Sequence, residues 1–254
     1  MSVRCLEIPR AGNVYQAVFT NNGEDTTRSF VPNSTSPEKR TCLSIFAKMN
    51  TTTKGGADTL ALIARSTKLV TPYLPENVAD WTEHASKVVS NVRSGFSIVK
   101  LPSAWKAFVE NITFRSTFDL LATSCHAVAL FIRDVISKTI SSIGSIFKAL
   151  VDCNDLFDTT KKFSATRELC SHASGLSDEV KSGLNSEWYE QLFKIFKYSL
   201  AAIAGLVTGF VFCTGMVLPA AVGIAVLSGT IVSAIFSVAA DYVRENADYV
   251  DFKV

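Results

Sequence analysis

Cysteine, histidine and aspartate are the residue types of this sequence that could carry chemistry, and their spacing is poor for it. The six cysteines form no Cys-x-x-Cys pair, so neither a zinc site nor a disulfide framework is predicted, although a cysteine pair across helices stays open. Cys170 and His172 are the nearest candidate for nucleophilic catalysis. On a helix, side chains two positions apart point about 200° away from each other, so these two are not expected to meet.

Three aspartates at steps of three, Asp152, Asp155 and Asp158, could bind a cation. They lack the glycine and the final glutamate of a calcium loop, so a solvated turn is the better interpretation. The sequence contains no phosphate-binding loop, dinucleotide fingerprint, nucleophile elbow or zinc-protease motif. We therefore expect no enzymatic activity, no catalytic residue, no cofactor and no metal site.

The element that stands out is an apolar run without a single charged residue or histidine, 43 residues long, at 198–240. One crossing of a bilayer needs about 20 apolar residues, and this run holds two such lengths, 198–217 and 220–240. Pro219 separates them, and proline breaks a helix. The sequence predicts a transmembrane helical hairpin with Gly215 and Pro219 in its turn; the alternative is a hairpin buried in the core of a soluble bundle.

Small residues recur at steps of four along both arms of this hairpin. A spacing of four places them in one ridge of a helix, and such ridges let helix backbones approach closely inside a membrane. We therefore predict that the two ridges pack against each other. They are Ala201, Gly205 and Gly209 in the first arm and Ala221, Ala225, Gly229, Ser233 and Ser237 in the second.

The residues that flank the hairpin predict the side of the membrane on which its two ends lie. A hairpin returns the chain to the side that it left, and the lysines at 194 and 197 with Arg244 favour a cytosolic location for both flanks. The chain begins without the charged and apolar regions of a secretory signal, as expected if its bulk is cytosolic. Residues 241–254 are expected to form a short polar tail.

Residues 1–56 are predicted to be a flexible leader and a candidate secretion signal, because Ser, Thr and Asn dominate much of the segment. A short strand at 14–19 is an exception. Residues 57–197 are predicted to be a helical, cytosol-facing domain. The fold class is thus all-α: an amphipathic helical bundle followed by a C-terminal transmembrane hairpin.

Within the helical domain, three-four spacing of apolar residues predicts helices at 57–70, 76–99 and 104–151, the last with a break near 111–113. Leu101–Pro102 and the polar segment 152–158 are expected to end helices. Shorter helices should follow at 164–173 and 178–184, and a helix from Ser186 should continue into the first arm. The apolar stretch 120–132 is too short for a third crossing and suits a buried or interfacial helix.

One stripe on the 76–99 helix is the candidate partner-binding face, although most of it is expected to be core. Its residues are Val78, Trp81, Val88, Val92 and Phe96. Amphipathic stripes of this kind pack in bundles or offer a helix face to another protein.

The composition agrees with this layout. The net charge of +2 excludes a strongly basic nucleic-acid binder, and 48% hydrophobic residues exclude a disordered chain. Only 19% of the residues are charged, and the deficit lies in the apolar run, because the other segments have an ordinary charge density.

The layout resembles the chlamydial inclusion membrane proteins. The likeness rests on two apolar lobes that meet at the turn Thr214-Gly215-Met216-Val217-Leu218-Pro219, on the Ser/Thr/Asn-rich start, and on a local similarity at Glu168-Leu169-Cys170-Ser171-His172. The hairpin lies closer to the C-terminus than in the commonest layout of that family. The resemblance implies type III secretion, insertion in the membrane of a pathogen vacuole with both termini in host cytosol, and non-enzymatic binding of host or sister proteins, including copies of the same chain.

The rival hypothesis belongs to another class. Pore-forming colicin domains and regulators related to Bcl-2 are soluble helical bundles that hide a hydrophobic hairpin and insert it into a membrane on a trigger. In that case the 198–240 hairpin is a core element, wrapped by the amphipathic helices that precede it.

Overall fold

The computed structural model describes residues 2–8, 14–21, 24–33, 41, 54–132 and 134–252, and most of them are helical. This confirms the all-α fold class, with the addition of one small sheet. The strands in the described residues are β1 Ser2–Ile8, β2 Val14–Asn21, β3 Glu24–Pro32 and β4 Tyr249–Phe252. The helices are α1 Lys54–Val70, α2 Glu76–Glu110, α3 Phe114–Phe131, α4 Asp134–Ser171, α5 Asp178–Thr214 and α6 Ala220–Asn246, with 3₁₀ turns at Thr71–Tyr73 and Ala173–Gly175.

The chain forms two compact units. The sheet unit comprises Met1–Phe46, Asp158–Ile195 and Phe236–Val254. The helical unit comprises Ala47–Phe157 and Phe196–Ile235, which includes most of the apolar run.

The sheet unit contains a four-stranded antiparallel sheet in the order β1-β2-β3-β4. β2 pairs with β3 from Asn21 opposite Glu24, and β3 pairs with β4 from Pro32 opposite Tyr249. Strand and helix side chains share one core, which consists of Ala17, Phe19, Phe30, Leu169, Leu176, Val180 and Leu184. A β-carbon at Gly183 would lie 2.8 Å from the Phe30 ring, so only glycine lets α5 approach the sheet this closely.

The prediction of a flexible leader over 1–56 is wrong for the three strands and for the start of α1. Threonine-rich segments such as 24–32 were interpreted as solvated, but threonine is β-branched and favours strands. The predicted strand at 14–19 is confirmed as part of β2. Flexibility predicted for 34–40 and 42–53 lies outside the described residues.

The C-terminal segment is more ordered than a polar tail. α6 runs on to Asn246, and 249–252 form β4. The Asn33 side chain joins this end to the sheet by donating from Nδ2 to the carbonyl oxygens of Arg244 and Ala247, at 3.2 and 2.9 Å. These carbonyls lie at the end of a helix and lack helical donors, so Asn33 closes that end.

The helical unit is built from helices that run antiparallel to their neighbours. Ser86 donates to the Ala64 carbonyl, and Arg93 pairs with Asp58, which sets α2 against α1. α4 runs antiparallel to α3, since Phe118 packs on Phe147 near one end and Gly144 lies against His126 nearer the other.

Two predicted helix ends are wrong. α2 passes through Pro102, whose exposed position lets the ring avoid packed neighbours, and Ser103 donates to the Lys100 carbonyl at 2.8 Å. α4 passes through 152–158 because Asp152 pairs with Lys148, and Asp155 pairs with Arg115 on α3. The predicted feed of one helix into the first arm is confirmed, since α5 continues from Asp178 to Thr214.

Candidate functional site: the apolar hairpin and the charged cavity

The apolar hairpin consists of the ends of α5 and α6 that meet at residues 215–219. α5 ends at Thr214, and Gly215 adopts a left-handed φ of 71°, which glycine permits without strain. α6 begins at Ala220, after Pro219, whose carbonyl accepts from Val222 and Gly223. The predicted turn is therefore confirmed at both of its marker residues.

The two helices are long and apolar enough to cross a membrane, by length and composition, and the helical hairpin is thereby supported. Large apolar side chains on the hairpin point outward. Ile203, Phe210, Ile224 and Ile235 keep 58%, 56%, 56% and 60% of their surface exposed. A soluble core hairpin would bury these side chains, because each contributes about 1.5 to 3 kcal/mol when fully buried.

The inner face of the hairpin combines apolar residues with hydroxyls. Ala204, Val211 and Val226 form a buried apolar cluster with Leu69 of α1. Thr208 and Thr230 are fully or almost fully buried, and their hydroxyls donate to the carbonyls of Ala204 and Val226. The Ser66 hydroxyl on α1 lies 2.8 Å from that of Thr230. Hydroxyls that bond to helix carbonyls or to one another can be buried without a large desolvation cost.

The predicted ridge of small residues in the first arm faces a different helix from the one expected. A β-carbon at Gly205 would lie 3.0 Å from the Ala149 β-carbon, and one at Gly209 would lie 2.5 Å from Ile146 Cγ1. Both neighbours belong to α4. The arm-to-arm packing predicted for this glycine pair is therefore corrected to packing on α4, which offers the small residues that a close approach requires.

The predicted ridge of the second arm divides. Ala221 and Ala225 are exposed, whereas Ser233 is buried and donates to the Lys197 carbonyl of the first arm at 2.9 Å. A β-carbon at Gly229 would lie 3.7 Å from Leu200 Cδ2 of the first arm, and Ser237 is buried in the sheet unit. The buried stripe instead includes Gly223, which faces the Leu69 carbonyl of α1.

The candidate partner-binding stripe of α2 is exposed at all five positions, so the expectation that it is mostly core is wrong. Trp81 keeps 74% of its surface exposed. The buried face of α2 is polar instead and consists of Thr82, Ser86, Arg93, Ser94 and Ser97, with Ala104 further along. The reason is that Arg93 and Ser86 bond to α1, which turns the apolar stripe outward.

A cavity of about 500 Å³ lies inside the helical unit, beside the start of the first arm. Its basic side chains are Arg93, Lys100, Arg115, Lys148 and Lys197, and its acidic side chains are Asp58, Asp119, Asp152 and Asp155. The hairpin supplies part of the wall through Tyr198, Ala201, Gly205, Thr230 and Ser233.

Three ion pairs fix most of these charges. Arg93 Nε lies 3.0 Å from Asp58 Oδ1, Arg115 Nε lies 2.7 Å from Asp155 Oδ1, and Lys148 pairs with Asp152 within one turn of α4. The hydrogen bond to Asp155 raises the pKa of Arg115, and burial raises the pKa of Asp152. Charge is thus held in a partly desolvated space, where electrostatic interactions are strong.

Arg65 is a further buried charge of the helical unit. It donates to the Ser141 hydroxyl from one terminal nitrogen, while the other has no partner among the described residues. Burial and the neighbouring Arg93 lower the pKa of Arg65 well below its usual value. A buried and incompletely paired cation of this kind lowers the stability of the folded chain.

Cys170 and His172 do not come together as a catalytic pair. Cys170 is half-buried against the core of the sheet unit, and burial raises the pKa of its thiol. His172 is exposed, and its Nδ1 lies 3.0 Å from the Ser171 hydroxyl. Cys125, Cys153, Cys170 and Cys213 are free thiols, and among the described residues no group of three or more His, Cys, Asp or Glu side chains could hold a metal ion.

Comparison of the chain with models of protein families, with curated proteins and with solved structures found no match.

Sequence reasoning missed the charged cavity. A signal was available on α2, where Ser86, Arg93 and Ser97 recur at steps of seven and four on the face next to the apolar stripe. A polar stripe of this kind is normally assigned to solvent, and only the three-dimensional packing makes it an interior face.

Proposed function

We propose that the chain is an integral membrane protein whose hairpin spans a bilayer and whose helical unit binds other proteins without catalysing a reaction. The observation that carries the proposal is the outward exposure of large apolar side chains on the hairpin, while hydroxyls, glycines and the apolar cluster of Ala204, Val211 and Val226 lie inside. This distribution suits helices that face lipid and pack through small residues.

The sheet supports a return of the chain to the side that it left. β3 precedes the hairpin and β4 follows it, and the two strands pair from Pro32 opposite Tyr249. A pair of hydrogen-bonded strands must lie on one side of a membrane. The proposed topology therefore has both flanks of the hairpin in the same compartment, and the flanking lysines favour the cytosol.

The vacuole membrane of an intracellular pathogen is the proposed location, with host cytosol as the compartment of the flanks. This part rests on the resemblance to the inclusion membrane proteins. The exposed stripe on α2 is the proposed contact for host or sister proteins, since an unpartnered apolar helix face suits a second helix.

The soluble bundle that inserts on a trigger remains a second candidate, because the hairpin docks along α1 and α4. Gly209 faces Ile146, Gly223 faces the Leu69 carbonyl, and Tyr73 donates to the Leu218 carbonyl at 2.6 Å beside the turn. A triggered protein would have to break these contacts before its hairpin could insert alone.

Cysteine accessibility tests the spanning hairpin. In a chain without native cysteines, Ile203→Cys should be protected from a membrane-impermeant maleimide in intact membranes and react after detergent is added. A single native Cys153, which is exposed and lies outside the hairpin, is the control and should react in both conditions. Equal labelling of both positions before detergent, or removal of the chain by alkaline carbonate, would refute the proposal.

A disulfide distinguishes the two candidates. Ser66→Cys with Thr230→Cys should lock the hairpin onto α1, since the two hydroxyl oxygens are only 2.8 Å apart. A constitutive, docked hairpin integrates into membranes with the disulfide formed, whereas a triggered hairpin loses integration until it is reduced. Ser66→Cys with Ile231→Cys is the control, because Ile231 points outward and should not form the bond.

A further inference from the structure

We propose that the charged cavity of the helical unit binds the phosphate group of an anionic phospholipid. This inference rests on the proposed membrane hairpin and adds a lipid ligand to it. The cavity has about 500 Å³ of space, which is within the range of small-molecule sites, about 300 to 1,000 Å³.

The charge of the lining favours an anion. Five basic side chains converge from four helices, against four carboxylates. The basic residues are Arg93 and Lys100 of α2, Arg115 of α3, Lys148 of α4 and Lys197 of α5. Arginine and lysine are the side chains that bind phosphate best, through charge-assisted hydrogen bonds.

The ion pairs orient this set before a ligand arrives. Asp58 and Asp152 hold Arg93 and Lys148 in place in largely buried pairs, and Asp155 holds the more exposed Arg115, so a phosphate would meet positioned cations. Preorganised groups lose less conformational entropy on binding. The described residues do not offer the carboxylate cluster that a metal ion would need, so a cation is the poorer occupant.

The position of the cavity favours a lipid over a soluble phosphate ester. Lys197 directly precedes the first arm, and Ala201, Gly205 and Ser233 of the hairpin line the same space. In a chain inserted through the apolar run, this space begins beside Lys197 at the headgroup end of the first arm and extends along the hairpin to Gly205 and Thr230, as a phosphate with an attached acyl chain would require. Basic pockets between membrane helices on the cytosolic side are sites for anionic headgroups.

Calorimetric titration of the full chain in dodecyl maltoside tests the site. Dioctanoyl phosphatidic acid should bind at one site per chain, at least about tenfold more tightly than dioctanoyl phosphatidylcholine or glycerol 3-phosphate. If glycerol 3-phosphate binds as tightly as dioctanoyl phosphatidic acid, the assignment of a lipid ligand is overturned and a soluble phosphate ester is indicated. Phosphatidylcholine that binds equally well would overturn the preference for an anion, and no heat with phosphatidic acid would overturn the site.

Matched variants locate the site. Lys100→Gln and Lys197→Gln should each weaken phosphatidic acid binding about fivefold, since a basic residue near anionic lipid contributes about 1 kcal/mol. Lys106 lies on the same helix as Lys100, but its side chain is exposed and outside the cavity. Lys106→Gln is therefore the control and should leave phosphatidic acid binding unchanged. An equal effect of Lys106→Gln would overturn the site in favour of general charge attraction.

Two further measurements keep the result interpretable. Lys100→Arg and Lys197→Arg preserve the charge, so these variants should bind phosphatidic acid with an affinity within about twofold of the parent. Loss of binding in a variant whose circular dichroism spectrum matches that of the parent would overturn the phosphate contact. Carbonate extraction of the same chain separates the two proposals. A chain that resists extraction but binds no lipid refutes only the cavity, whereas one that is extracted but binds supports the cavity and refutes the spanning hairpin.

Discussion

Single residues of the helical unit invert the usual arrangement of a soluble protein. Thr208, Thr230 and Ser66 are buried, while Trp81 and Phe210 are largely exposed. Each buried hydroxyl bonds to a carbonyl or to another hydroxyl, so the polar interior is chemically satisfied at these positions. The interior of the unit therefore combines satisfied polar groups with the apolar cluster of Leu69, Ala204, Val211 and Val226.

The glycine contacts give a first prediction. Gly209→Ala should lower the free energy of unfolding by about 1 to 3 kcal/mol, since its β-carbon would lie 2.5 Å from Ile146 Cγ1 and 3.2 Å from the Ser142 carbonyl oxygen. Gly229→Ala is the control, because the nearest atom there is 3.7 Å away. That variant should be neutral or gain up to about 1 kcal/mol from the helix preference of alanine. Thermal unfolding in detergent measures both, and equal losses would contradict the packing on α4.

The buried ion pairs give a second prediction. Asp58→Asn leaves Arg93 without its carboxylate in a place where the arginine side chain is only 6% exposed. Removing one partner of a buried pair costs about 3 to 5 kcal/mol. Glu83→Gln, which breaks the exposed pair with Lys87, should cost less than about 0.5 kcal/mol. Urea unfolding of both variants makes the comparison, and similar midpoints would contradict the burial of the Asp58 pair.

Among the elements, α2 and α4 both extend beyond the ends that the sequence predicts. Pro102 was expected to end α2, and this helix continues for eight residues beyond. Proline inside a helix removes a hydrogen bond, here the one that residue 102 would donate to the Ile98 carbonyl.

This helix gives a third prediction. Pro102→Ala should raise the free energy of unfolding by up to about 3 kcal/mol, because it restores the missing donor at an exposed position. Pro75→Ala is the control, since Pro75 precedes the helix and contributes only its carbonyl to Val78 and Ala79. A loss of stability in Pro102→Ala would show that the proline fits a bend that the fold needs.

Much of the element order could be predicted from sequence because apolar periodicity reports helical spacing and the uncharged run reports length. The hairpin turn at Gly215 and Pro219, the start of α2 at Glu76 and β2 were found in this way. The sheet was missed although Asn-Gly stands between Asn21 and Glu24, the dipeptide most typical of a two-residue hairpin loop. β4 could not be found at all, because its pairing with β3 connects residues far apart in sequence.

The candidate site was harder to predict than the elements. The glycines of the first arm were recognised as contact residues, but their partner α4 could not be chosen, since a ridge of small residues fits any close helix. The cavity depends on charges from α1 to α5 that no local pattern joins.

At the scale of the whole molecule, two apolar surfaces are exposed and are not covered by other parts of the described chain. The hairpin exposes apolar side chains suited to lipid, and α2 exposes a stripe suited to protein. A contiguous apolar surface of this kind marks an interaction site or a membrane contact.

The stripe gives the fourth prediction. With the full chain as bait in detergent, Trp81→Ala should lower the recovery of its protein partners at least about fivefold, because tryptophan is a typical hot-spot residue at interfaces. Trp105→Ala is the matched control, since Trp105 is also an exposed tryptophan of α2 but lies on another face of the helix. Equal recovery with Trp81→Ala and with the parent would refute the stripe as the contact.

The pairing of β3 with β4 has a consequence for biogenesis. Ser29–Pro32 and Tyr249–Phe252 are neighbours in the sheet, yet the ribosome makes the entire hairpin between them. The sheet therefore closes only after the hairpin has been synthesised, and contacts so distant along the chain form slowly. During that interval the edge of β3 that later pairs with β4 is unpaired, which gives a chaperone a period in which to hold the chain unfolded.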